Sequence, residues 1–125
     1  MKAILQIGFR ALAIMALAVP ANAGPFEDGV AATNRGDYAT ALLLLRPLAE
    51  QGNIWAQSNL GVMYAVGEGV PQDFVSAHMW FSLAATRGAK KAQENRDIAA
   101  SKMTPGQIAE AQRMAREWME KHQQP

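Results

Sequence analysis

His78 and Ser82 stand four residues apart, one helical turn, where an imidazole could take a proton from a hydroxyl. A nucleophilic pair also needs an acid to orient the base and donors for an oxyanion. The sequence offers neither near them, so His78 is expected at a partly exposed helix position. Glu68 lies between two glycines, five residues before Asp73. Two carboxylates held apart in a cleft can cleave a glycosidic bond, but Asp73 has another task as a helix cap, which leaves Glu68 alone. Gly67-Glu68-Gly69 lacks the preceding strand and following lysine of a phosphate-cradling loop. There is no cysteine, and the two histidines, His78 and His122, are 44 residues apart, so no set of metal ligands clusters. His122 sits near the C-terminus and is expected to be inert. Tyr64, Trp80 and Phe81 could form an aromatic cage, yet their helical spacing assigns them to packing. No catalytic residue, metal or cofactor is expected, and the useful chemistry is that of a surface.

The elements that would carry such a surface are helices. Leu60, Gly61 and Tyr64 fall one turn apart. Gly67 and Gly69 stop that helix, because glycine accepts the left-handed conformation a helix end needs. Pro71 blocks its return, and the Asp73 carboxylate can cap a second helix. There Ala77, Trp80, Phe81, Ala84 and Ala85 make one apolar stripe. Small residues let the two helix axes approach, and Tyr64, Trp80 and Phe81 fill the space beside them.

A hairpin of this size cannot bury its apolar faces alone, which predicts neighbouring copies. A shift of 36 residues brings Asp37 onto Asp73, Ala41 onto Ala77, Ala49 onto Ala85 and Gly52 onto Gly88. The match continues with Ala56 on Ala92, Gln57 on Gln93 and Asn59 on Asn95. The order Ala56, Leu60-Gly61, Tyr64, Gly67, Gly69-Val70, Asp73, Ala77, Trp80, Ala84-Ala85, Gly88 resembles the SEL-one-like repeat (SLR), a helical hairpin akin to the tetratricopeptide repeat. The resemblance covers about residues 37–97. It implies an all-α fold: a short right-handed α-solenoid of antiparallel hairpins with about six helices, its concave face lined by the first helix of each pair. It also implies a protein–protein interaction module, an adaptor or regulator. One complete repeat is expected at 53–88, an atypical hairpin at 25–52, and terminating helices at 89–122. The turn Asn34-Arg35-Gly36 is shorter than its counterpart, and Arg96-Asp97 replaces the Leu-Gly pair.

Residues 1–23 have the pattern of a secretory signal peptide: Lys2 and Arg10, the apolar run Ala11–Val19, then Ala21-Asn22-Ala23 as a cleavage site. The run is too short to span a bilayer, which takes about 20 residues. A periplasmic or secreted domain of residues 24–125, without stable membrane insertion, is the expectation. Losing Lys2 and Arg10 leaves ten basic against eleven acidic residues, with no basic stripe for nucleic acid. Pro47 should kink the helix that Asp37 begins. Phe26, Val30 and Ala31 should face inward from a short first helix. Thr104-Pro105-Gly106-Gln107 starts a last helix, with Ile108, Ala111, Met114, Ala115, Trp118 and Met119 on one face. Such an element would close the end of the stack.

The expected partner contacts are Trp55, Gln57, Asn59, Met63, Gln93 and Asn95. Trp55 is apolar where its shifted equivalent is Lys91. The recurring amides could hold an extended peptide, or bond internally between helices. The partner would be a protein or peptide, and the chain a monomer or weak self-associator. An enzyme or enzyme accessory acting on cell-wall glycan is the alternative.

Overall fold

The computed structural model describes residues 24–123; the expected signal peptide lies outside them. Six helices follow one another: α1 Pro25–Asn34, α2 Tyr38–Glu50, α3 Ile54–Val66, α4 Phe74–Thr86, α5 Lys90–Ala100 and α6 Pro105–His122. Among the described residues there is no strand. Each helix packs on the next from α1 to α5, and α6 folds back onto α4.

Short polar side chains set where the helices begin. Asp37 accepts from the Thr40 amide, Asn53 from Ala56, and Asp73 from both Val75 and Ser76. Each thereby satisfies donors that the first turn leaves without a partner. Thr104 and Gln107 form the expected reciprocal box. Gly67 ends α3 at φ 84°, a backbone that a side chain would strain. The loop behind it is closed by Asp73, whose amide donates to the Tyr64 carbonyl at 2.9 Å.

The core is built from alanines where helices meet and larger groups between them. Ala41, Leu45, Ala49, Ala56, Leu60 and Met63 join Met79, Trp80 and Leu83 in one cluster. Phe81 leads a second cluster with Ala77, Ala84, Ala89 and Ala92. Its ring lies against Gly61, where an added Cβ would stand 2.5 Å from Cδ1. Only glycine permits that approach. The first hairpin contains the same device: a Cβ on Gly29 would fall 2.7 Å from Leu45 Cγ.

Leu45 is 36 residues before Phe81, but Gly29 is 32 before Gly61. The first hairpin therefore repeats the second, with four residues fewer in its turn. That change of register hid the repeat before Asp37 from a single fixed shift. One other expectation is corrected. Ala32, not Ala31, is the alanine that α1 buries, on the inward face that Phe26 and Gly29 share. As expected of a helix that Pro47 does not end, α2 runs through it to Glu50.

Polar ties cross between hairpins. Arg46 donates to the Tyr64 hydroxyl at 2.8 Å, and Arg87 reaches back to the Gly52 carbonyl at 2.7 Å. Helix α6 sets Trp118 edge-on against Trp80, with ring centres 6.3 Å apart. The Trp118 indole N–H donates to Glu50 Oε2 at 3.3 Å.

Candidate interaction face

Along α3, Trp55, Asn59, Val62 and Val66 follow one another at helical spacing on the side away from the core. Trp55 is 59% exposed and Val66 57%, with Val62 less so and Asn59 half-buried. A shift of 36 residues turns these positions into Lys91, Asn95 and Ile98 on α5 and Lys102 in the turn after it. Ile98 is 58% exposed and Asn95 half-buried. The two stripes meet along the seam between α3 and α5.

Two depressions lie on that seam. One, of about 420 Å3, is bordered by Phe26, Trp55, Asn59, Lys90 and Lys91. The other, of about 340 Å3, is bordered by Val62, Val66, Asn95, Ile98 and Lys102. Four of the five large exposed apolar side chains among the described residues border them: Trp55, Val62, Val66 and Ile98. A contiguous exposed apolar strip rimmed by polar groups is the usual signature of an interaction site. The strip is amide-bearing in its middle, with Lys90, Lys91 and Lys102 along the α5 side, Lys91 being paired with Glu94 at 3.6 Å.

The six expected contacts divide. Trp55, Asn59 and Asn95 border the depressions, and Gln93 is exposed on α5. Met63 and Gln57 are each 1% exposed, which takes both out of a partner's reach across this face. Gln57 donates through Nε2 to the Ala49 carbonyl at 3.1 Å, a tie between hairpins. Val62, Val66, Ile98 and Lys102 lie outside the expected set. Val62 and Ile98 are an ordinary aliphatic pair at the same shift, and Val66 has Lys102 as its equivalent, so neither position carries a recurring amide or aromatic signal.

The chemistry-bearing residues are placed as follows. His78 is 3% exposed, a correction to the expected partly exposed position, and its Nδ1 lies 3.2 Å from Ser82 Oγ. Burial lowers its pKa, Arg96 lowers it further, and Asp97 opposes both. Glu68 lies by Tyr38, where its carboxylate raises the pKa of the phenol. His122 is not an isolated terminal residue: its ring stacks on Trp118 at 3.7 Å between centres. Among the described residues no three metal-binding side chains cluster, and no helix is long and apolar enough to cross a membrane.

The family model described as Sel1 repeat matches residues 21–53 and 56–88. No curated protein matches the chain. Among solved structures, the chain is similar to a protective antigen present in uropathogenic Escherichia coli strains, which displays an SLR fold. The two are 34% identical with a TM-score of 0.70, over 78% of this chain and 22% of that one. The chain thus spans about 22% of the length of the structure it matches.

Proposed function

The chain belongs to the Sel1 repeat family of helical interaction modules, and from that membership we propose that the α3–α5 seam holds an extended segment of a partner protein. The observation that carries this is the recurrence, on the first helices of successive hairpins, of an amide followed one turn on by an exposed aliphatic side chain: Asn59 and Val62 on α3, Asn95 and Ile98 on α5. An extended peptide presents donors and acceptors in turn along its backbone. A carboxamide offers both, so two amides in equivalent places can hold a backbone without reading its side chains. Trp55, Val62, Val66 and Ile98 then supply pockets for apolar side chains. Lys90 and Lys102 favour a partner segment with acidic residues beside the apolar ones, whereas Lys91 is paired with Glu94 at 3.6 Å.

The module is an adaptor or regulator rather than an enzyme, and it works outside the cytoplasm, in a bacterial cell envelope or beyond it. The charged start, apolar run and Ala21-Asn22-Ala23 of the N-terminal segment support export.

Peptides selected by display against the full chain provide the test. Asn59→Ala combined with Asn95→Ala is expected to weaken the selected peptides more than tenfold, about 1.4 kcal/mol, while the melting temperature holds. Unchanged binding in the double variant and in Trp55→Ala would sink the seam as the site. Expression in a bacterium, fractionation and N-terminal sequencing test export. Mature protein beginning at Gly24 outside the cytoplasm is the expected result, and an intact Met1 retained in the cytoplasm refutes it.

A further inference from the structure

A cavity of about 350 Å3 lies away from the seam, where α2, α4 and α6 all end. Glu50, Thr86 and His122 are the last residues of those helices, and each borders it. Helix C-termini carry partial negative charge on their unpaired carbonyls, so three of them together favour a cation.

Gln57 borders the same cavity and is 1% exposed. Its orientation is fixed, because the Ala49 carbonyl can only accept and must face the amide nitrogen. That puts Oε1 on the other side, enclosed and without a donor among the described residues. Buried acceptors are nearly always paired, so an orphan beside a cavity points to a missing donor.

The charged groups complete the pattern. Glu50 is positioned by the Trp118 indole N–H at 3.3 Å, and His122 Nε2 stands 3.7 Å from the same oxygen. Arg87 is anchored through Nη1 to the Gly52 carbonyl at 2.7 Å and keeps its other donors. Glu50 and Arg87 are not paired with each other among the described ion pairs. The cavity is therefore bordered by the Glu50 carboxylate with His122 beside it, by the Arg87 guanidinium and by an apolar wall of Leu83 and Met119, with Gln57 Oε1 enclosed at its edge.

We propose that this cavity binds a free α-amino acid. Its ammonium donates to Gln57 Oε1 and the Glu50 carboxylate, and its carboxylate accepts from Arg87. Its side chain lies against Leu83 and Met119. The site is separate from the peptide seam and does not depend on it.

The full chain, labelled with 15N, is titrated with each standard amino acid while the Trp118 indole and Gln57 carboxamide signals are followed. At least one amino acid is expected to give saturable shifts at millimolar concentration. Its N-acetyl derivative and its methyl ester, each lacking one charge, should bind at least tenfold more weakly. Gln57→Leu should abolish the shifts at Trp118. Should that variant fail to fold, Arg87→Gln at the open side removes the carboxylate contact and is expected to cost at least tenfold. No saturable shift from any amino acid overturns the proposal, and so does equal binding of the blocked derivatives, which would leave the cavity to water.

Discussion

Gly61 and His78 are the residues whose surroundings most constrain them. The Phe81 ring occupies the space that a Cβ on Gly61 would need. Gly61→Ala should therefore destabilise by about 1–3 kcal/mol through overpacking, although alanine is the better helix former. Urea unfolding checks it, and a gain in stability would show that Phe81 can move aside. His78 gives a pH dependence with a definite sign. Its folded pKa lies below the ordinary 6.5 because burial disfavours the imidazolium. On acidification the unfolded chain takes this proton first. The contribution of His78 is thus complete above pH 6.5 and is lost as pH falls through the lower folded value. Stability curves of the wild type and His78→Gln, compared between pH 7 and 5, should converge as pH falls. Parallel curves would mean that His78 takes up its proton alike in the folded and the unfolded chain. The sequence showed the His78–Ser82 spacing but not the burial, because burial is decided by α5 packing over α4.

At the scale of elements, the helix starts were legible because capping is local. Asp37, Asp73 and Thr104 each hold the amide that their position implies. Asp73→Ala leaves two α4 amides without their acceptor and should cost about 1 kcal/mol, read as a lower urea midpoint with unchanged slope. No change would assign the start of α4 to packing alone. The first hairpin was legible only after its turn, since four residues fewer there displace everything before it. Gln57 and Gln93 show the opposite failure. They match at a shift of 36, yet one is enclosed and the other exposed. The α2 end and α6 border the surroundings of Gln57, whereas Gln93 faces outward at the far end of the stack. Equivalent spacing sets the direction of a side chain, and the neighbouring element decides whether it is covered.

For the whole molecule, α6 is the part that turns an open stack into a closed one. It buries Ala115 and rests Met114, Trp118 and Met119 on the cluster that contains Trp80. A chain ending at Met103 loses those three partly buried side chains, worth about 4 kcal/mol together, and exposes Trp80. It should unfold at markedly lower urea and sediment as larger species with rising concentration. A monomer of unchanged stability would show that α6 is dispensable. The pair that fixes α6 in place also has an optical consequence. Two indoles held edge-to-face at 6.3 Å couple their transitions, so they absorb left- and right-handed light as a unit. Separating α6 from α4 breaks that coupling, whereas Trp55 stands apart on the seam and responds through emission. With Trp55→Phe as the blank, the unlabelled chain therefore carries two spectroscopic channels, one for the closing helix and one for whatever enters the seam.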